Sequence, residues 1–599
     1  MRSPVPDGNF LYEQGPDIGS GHPWKIARRD MRAWWDGPAV DSFEDEDLFL
    51  IVLGEIDEVR AHVLDGAHQS PSALWAKVWR DHGSRGLDLV VGPHVALVFE
   101  KNRARLTIMR DVCGGSPAYI SWAGRTATVG SDLEQLARHG RTRVASPLWM
   151  AYYLQLSMPE AVLTPFDGVQ QVMPGHAATP LRGEWRQARR SKFRAARVAV
   201  RDVDAAADVV QTRLDLAVAR RVRGAGKVAV ALSGGIDSTN VLASLRRVAP
   251  EAEVVALAIP FFTEFGDERS DQVLIAEHLT AELSWVGMDG AGPMRGLGDE
   301  VLSGRAWPPL AGNWFFQQAI AQRAQELGVE VILDGEDADS IFGGSRNFLV
   351  DLLAQGKLRR WVQAASQFRR LGQSWRWAIR YSLTGLLPPV LDRAFTGKPA
   401  GFYPRALLSP CLIDAVGLQK RLRDNPQLGV WSPGRRFRAS QALGAHADHV
   451  NFVAIETSAG ALGLHVRYGH PFLDRDLVEL AMGLPWWALS PPGQHKFVLR
   501  RLAERNLPEG FAARARKANL SEYFDHAVVD SERQHVLEGL ASATGKGCIF
   551  AADAVAALKT SITAGRPSLD AVRAAVLALW LDGLEGETRG RAEVDSPNG

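Results

Sequence analysis

Two hydrophobic rhythms divide the chain. Before residue 146, short apolar runs alternate with Gly and Asp turns. LFLIVLGEID (48–57), LDLVVGPHVALVFE (87–100) and RLTIMRD (105–111) predict strands of a mostly buried sheet. ALWAKVWRDHG (74–83) predicts a helix ending at Gly83. Residues 146–201, with PGHAATP and a basic stretch from Arg182 to Arg201, read as a connecting segment. From 205 the pattern changes. AAADVVQTRLDLAVARRV predicts an amphipathic helix, followed by the strand VAVAL (228–232) and a helix over 239–248. Strands EVVALAI (253–259), SWVG (284–287) and VEVILDG (329–335) then alternate with helices over 268–282 and 314–326. Such alternation predicts parallel βαβ units and an open, doubly wound sheet. Beyond 350 helix dominates, and EGETRGRAEVDSPNG (585–599) reads as a polar, disordered tail.

Composition narrows the classes without choosing among them. The 599 residues carry 69 Lys+Arg and 68 Asp+Glu, a formal charge of +1, which argues against a protein built to coat nucleic acid or acidic membranes. Cys113, Cys411 and Cys548 form no CxxC pair, so neither a disulfide framework nor a zinc cluster is indicated. The N-terminus lacks a signal pattern, and no apolar run of about 18 residues occurs. The expected location is the cytoplasm, with no membrane insertion. The Arg182–Arg201 stretch reads as an interdomain strap or a partner surface. The arginines between 359 and 380, interleaved with Trp361, Phe368, Trp375 and Trp377, read as the outer face of an amphipathic helix.

The sharpest chemistry sits in VAVALSGGIDSTNVLASL (228–245). A buried strand runs into Ser233-Gly234-Gly235-Ile236-Asp237-Ser238 and a helix starts at once. Two glycines admit close backbone approach, and successive N–H groups at a helix N-terminus form an anion nest. Ser233 and Ser238 add hydroxyl donors, and Asp237 offers a carboxylate for Mg²⁺. The GK[ST] lysine of a Walker A loop is absent.

SGGIDS resembles the pyrophosphate loop of the PP-loop ATPases, which split ATP into AMP and pyrophosphate. LDGEDADSIFGG (333–344) resembles the LSGEGADELFGG segment of asparagine synthetases. HPFLDRDLVELAMGLP (470–485) resembles their PFLD…LVE…LP stretch, and KFVLRRLAERNLPEGFAARARKA (496–518) their K-x-LLR…LP…R-x-K. VGPHVALVFEKNRARLTIMRDVCGGSPAYI (91–120) looks like part of a glutamine amidotransferase domain. The resemblance implies an N-terminal α+β amidotransferase-like (Ntn-type) sandwich over 1–195, including a linker at 146–195. It implies an asparagine synthetase-like ATP-dependent domain over 205–585, and the tail occupies 586–599. Glutamine-using members need a first-residue cysteine whose own α-amine acts as base. This sequence begins Met1-Arg2, so its glutaminase half is expected to be inactive.

Members without that cysteine include β-lactam synthetases and lasso peptide cyclases. This chain resembles the cyclases more: β-lactam synthetases tend to carry Tyr at the position of Glu336, and the spacing Arg514-Ala515-Arg516-Lys517 is one residue longer than R-x-K. A lasso cyclase adenylates an Asp or Glu side chain of a leader-cleaved precursor peptide. It then joins that side chain to the peptide's N-terminal amine as an isopeptide macrolactam, releasing AMP and pyrophosphate. ATP and Mg²⁺ are implied, with a leader peptidase and a leader-recognition protein as partners and no nucleic acid.

Carried over by motif, Ser233, Gly234, Gly235 and Ser238 hold the β,γ-phosphates, and Asp237 and Asp339 share Mg²⁺. Leu232, Ala258, Asp334 and Gly335 contact adenosine, and Lys517 neutralises charge on the leaving pyrophosphate. Glu336 is the candidate base or amine-orienting group, with Glu456 as a second carboxylate. Other readings stay open: a small-molecule amide or β-lactam synthetase, an asparagine synthetase-like enzyme using free ammonia, or a nucleotide-binding scaffold.

Overall fold

The computed structural model describes residues 10–14, 26–28, 31–35, 40–60, 70–123, 126–139, 143–155, 162–261, 267–288, 292–294, 307–308, 314–343, 348–386, 405–424, 466–511 and 524–594. The N-terminal half is a sandwich of two six-stranded antiparallel sheets. One runs, in spatial order, 169–171, 119–123, 126–130, 10–14, 31–35 and 26–28. The other runs 184–189, 176–181, 105–110, 94–100, 48–54 and 40–44.

Between the sheets lie Phe49, Ile51, Leu53, Val95, Leu97 and Ile108 from the second sheet, facing Ile120 and Val129 from the first. The alternate residues Leu48, Leu50 and Val52 point outward, against Trp75, Val78 and Trp79 of helix Pro71–His82. With both faces covered, the strand reads as an unbroken apolar run in place of an alternating one. Helix Pro71–His82 starts three residues ahead of the predicted segment, capped by Ser70, whose side chain accepts the Ala73 N–H. It ends as expected at Gly83, with φ 55°.

The segment 146–201 is no simple linker. It contributes helix Pro147–Gln155 and strands Val169–Gln171, His176–Leu181 and Glu184–Arg189, two of which are edge strands of the two sheets. Every residue from Trp149 to Gln155 is buried, so the helix carries no polar face that a periodicity search would detect. Trp149 packs on Trp307 and Trp580, and Arg573 lies over the Tyr153 ring at 4.3 Å, so this helix joins the two halves of the molecule. Only beyond it does the chain become a strap. The Arg194 N–H donates to Glu479 Oε1 and the Ala196 N–H to the Glu479 carbonyl.

The C-terminal half is built on a five-stranded parallel sheet in the order Glu282–Trp285, Glu253–Ala258, Lys227–Ala231, Val331–Leu333, Arg467–Gly469. Val228, Val230, Val254 and Ala256 pack one face, with helices Val203–Arg221 and Ile236–Val248. Ala229, Val255, Leu257 and Ile332 pack the other, with helices Trp314–Glu326 and Leu569–Val594. The sheet is therefore doubly wound, as the alternation predicts. The tail is corrected in part: helix Leu569–Val594 runs through residues 586–594, and only 595–599 lie outside the described residues.

The fold also brings distant cysteines together. Cys411 and Cys548, both exposed, lie with their Sγ atoms 3.1 Å apart.

Candidate active site

In chain order the parallel strands are numbered one to five by the sequence, but in space they lie three-two-one-four-five, so the winding reverses between Lys227–Ala231 and Val331–Leu333. Open α/β sheets bind ligands in the crevice beyond the C-terminal strand ends at such a reversal. The two segments that leave the sheet there are Leu232–Ser238 and Asp334–Asp339. The motifs picked out in the sequence therefore converge on the one place where the topology opens a crevice.

The first segment is a tight loop. The Ser233 N–H donates to Ser238 Oγ at 3.2 Å, and the two hydroxyls lie 3.1 Å apart. Gly234 takes φ 76°, where a side chain would be strained and would press on Glu268 Cβ at 3.1 Å. Gly235 caps helix Ile236–Val248, whose axis aims its N-terminus at the loop. The helix begins three residues earlier than predicted, because Asp237 and Ser238 already belong to its first turn.

Gly335 lies flat against this loop: a Cβ there would stand 2.6 Å from the Ser238 backbone nitrogen. Close approach of two backbones, with small residues and hydroxyls facing the crevice, fits a polyphosphate. Asp337 adopts φ 66°, the left-handed conformation in which the LSGEGADELFGG pattern has glycine.

The two carboxylates assigned to Mg²⁺ do come together. Lys496 Nζ contacts Asp237 Oδ2 and lies 2.7 Å from Asp339 Oδ1. Paired hard oxygen donors around one cation are the donor set a divalent magnesium ion requires, so the residues fit the ion. Among the described residues no cluster of three or more His, Cys, Asp or Glu forms a further metal site. Lys496 carried no role in the sequence reading, although it opens the K-x-LLR stretch. It caps helix Phe497–Asn506, which is tied to the loop helix by the Asn240 Nδ2–H donating to the Leu499 carbonyl at 3.0 Å.

His470 was also missed. Its Nδ1–H donates to Asp334 Oδ2 at 2.9 Å, and its ring stacks on Tyr468. Asp334 Oδ1 accepts the Glu336 N–H at 3.3 Å. The Asp334 side chain is thus committed to shaping its own turn. Ala258 is fully buried and its carbonyl accepts the Val286 N–H, while the Leu232 carbonyl accepts from Gln272. Both form the crevice floor. Glu336 is exposed at the rim. Lys517 and Glu456 lie outside the described residues.

In the N-terminal half, RDVCGGSPAY folds into a turn held by its own polar groups. Asp111 accepts the N–H groups of Cys113, Gly114 and Gly115, each at 2.8 Å. Burial pushes the Cys113 thiol well above its ordinary value, so it is a poor nucleophile.

The fold is of one class: an Ntn-type amidotransferase-like unit followed by a doubly wound parallel-sheet domain with a crevice at its strand reversal. The chain belongs to the asparagine synthase family, whose profile matches residues 209–582, and the glutamine amidotransferase domain profile matches residues 9–191.

Curated relatives include amidase chry2 of Gibberella zeae (25% identical over 386 residues, 58% of this chain and 56% of that protein). Amidase chyE of Penicillium rubens is 26% identical over 390 residues, 58% of this chain and 55% of that one. The chain spans about half the length of these relatives. Among solved structures, the glutamine phosphoribosylpyrophosphate amidotransferase from B. subtilis complexed with ADP and GMP matches with TM-score 0.23 and 10% identity, over 47% of this chain and 85% of that one. No helix among the described residues is long and apolar enough to cross a membrane.

Proposed function

We propose that this protein is an ATP-dependent lasso peptide cyclase. The observation that carries the ligase chemistry is the convergence of Asp237 and Asp339 on one cation beside the Ser233–Ser238 loop, at the reversal of the sheet. Joining a carboxylate to an amine in water needs a leaving group better than hydroxide. An Asp or Glu side chain of the peptide attacks the α-phosphate of ATP, pyrophosphate departs, and the peptide's N-terminal amine then displaces AMP. Bound Mg²⁺ supplies charge neutralisation for the departing pyrophosphate.

The loop serines and backbone N–H groups hold the phosphates, while Asp237 and Asp339 hold the metal. Lys496, reaching both carboxylates, keeps them aligned and offsets their mutual repulsion. A free α-amine has a pKa of about 7.7–8.0, so part of it is protonated near neutrality and a carboxylate able to take that proton helps. Glu336 at the rim is our candidate. This exposed carboxylate, where β-lactam synthetases tend to carry Tyr, favours a peptide-cyclising reaction over the small-molecule alternative. Cytoplasmic ATP and a leader peptidase with a leader-recognition protein complete the proposed setting.

A second reading comes from the fungal relatives named amidases: hydrolysis of an amide. One assay separates the two. The full chain is incubated with Mg-ATP and a leader-cleaved candidate precursor, and AMP, pyrophosphate and peptide mass are followed together. Equal amounts of AMP and a peptide lighter by one water support the cyclase. AMP with small β-amino acids and none with peptides points to a small-molecule synthetase. Amide cleavage without AMP supports the amidase.

A further inference from the structure

Far along the chain from these loops, the N-terminal half carries a trough that neither the fold nor the ligase chemistry uses. Two cavities of about 630 and 660 Å³ adjoin, sharing Ser84, Arg103, Arg105 and Arg190 in their walls. The first adds Arg80 and Arg85, with Asp47 and Glu100 as its acids. The second adds Arg182 and Arg186 and has no acidic lining residue. Arg103 and Arg105 lean on Glu100, at 3.2 and 3.9 Å, and Arg80 pairs with Asp45. Among the described residues, the Arg85, Arg182, Arg186 and Arg190 side chains meet no carboxylate, and all four are exposed. The Trp122 indole N–H, buried in the wall of the second cavity, finds no acceptor among the described residues.

A concave site rich in unpaired guanidiniums, with a spare indole donor, asks for carboxylate or phosphate oxygens. The backbone beside it decides between them. Among the described residues, strand Glu184–Arg189 is the outermost strand of its sheet, paired only with His176–Leu181. Alternation along it puts Arg186, Ala188 and Arg190 into the cavity wall, while Trp185 turns inward to donate to the Ser121 carbonyl. An open strand edge is a template for an added peptide strand. A strand added there would present every second side chain, about 6.6–6.8 Å apart, to the arginine-bearing face. A flexible nucleic acid has no use for main-chain ladder groups.

We propose that this trough docks an extended acidic segment of a partner protein, adding as a strand beside Glu184–Arg189 with carboxylates at alternate positions held by Arg186 and Arg190. The inference stands independently of the ligase reading, since none of these residues belongs to the nucleotide crevice.

The test uses the intact chain and a fluorescein-labelled peptide of alternating Glu and Ser, with tripolyphosphate and oligouridylate as competing probes. Anisotropy should report saturable binding that weakens as salt rises. Arg186→Glu, and separately Arg190→Glu, should each weaken it by about tenfold or more, or ~1.4 kcal/mol, with unchanged circular dichroism. A peptide with its glutamates in one block should bind less well than the alternating one. Several results would overturn the proposal: no peptide binding, binding indifferent to both charge reversals, or preference for oligouridylate or tripolyphosphate over the peptide.

Discussion

At the scale of single residues, the site depends on how closely two turns approach. Gly335 touches the Ser238 nitrogen so nearly that a methyl group there must push the loop away. Displacement of reacting groups by about 1 Å costs on the order of 10²-fold in rate. Gly335→Ala should therefore cut AMP formation by about that factor and, since the clash is with backbone, destabilise the protein by about 1–3 kcal/mol. An unchanged rate would show that the two turns do not cooperate.

Lys496→Met tests the other contact. It leaves Asp237 and Asp339 facing each other without their ammonium, and kcat should fall by about 10²–10³-fold, as for other lost charge stabilisers. Steady-state pyrophosphate release reads it directly. These two positions differ in how legible they are. The Ser233–Ser238 loop announces itself because glycines, hydroxyls and a carboxylate are contiguous. Lys496 and His470 do not, since each acts across more than a hundred residues of chain and gains meaning only when the strands fix its neighbours.

At the scale of elements, what the sequence hid follows a rule. Elements buried on one face, such as helix Leu358–Arg370 with Trp361, Ala364, Ala365 and Phe368 inward, reveal themselves by period. Helix Pro147–Gln155, enclosed on all sides, does not. Strand Arg467–Gly469 is short and polar, and it becomes a strand only by pairing with Val331–Leu333. The helical stretch after 584 escaped because its many charges read as disorder, although Glu585 and Glu587 precede Arg589 and Arg591 at helical spacing. The Cys411–Cys548 neighbourhood likewise exists only in three dimensions. Mild oxidation should join the two sulfurs, with loss of two hydrogens by mass, and should stabilise the protein by about 2–4 kcal/mol against guanidinium. Cys548→Ser should abolish both effects. Full retention of two free thiols after oxidation would contradict the placement.

At the scale of the whole molecule, the two halves are joined by a belt of charges, and the PFLDRDLVE stretch supplies much of it. Arg220 meets Asp474 at 2.9 Å, Asp476 at 2.8 Å and Glu58 of the N-terminal half at 3.2 Å. Arg60 meets Asp476 and Glu479, and Arg475 meets Asp88. The motif that named the family thus serves assembly of the halves. Burial alone would raise the Asp88 and Asp476 carboxyls, but hydrogen bonds from Arg194 and Arg220 outweigh it and hold both low. A lowered folded pKa contributes stability above the unfolded value, about 3.9, and that stability is lost as pH falls through the folded value. Asp57, raised by burial in spite of Arg221, works in the opposite sense. The thermal midpoint should drop below about pH 4, and Asp88→Asn should flatten that drop. Identical pH profiles for parent and variant would remove Asp88 from the belt's acid response.

The central claim is that a peptide carboxylate is activated by attack on the α-phosphate of ATP. The most direct measurement follows its oxygen. A precursor peptide labelled with heavy oxygen in its acceptor side-chain carboxylate is turned over with Mg-ATP, and the AMP is weighed by mass spectrometry. One labelled oxygen in each AMP, matched by one dehydrated peptide, is the predicted result. Unlabelled AMP, or ADP in its place, would contradict it.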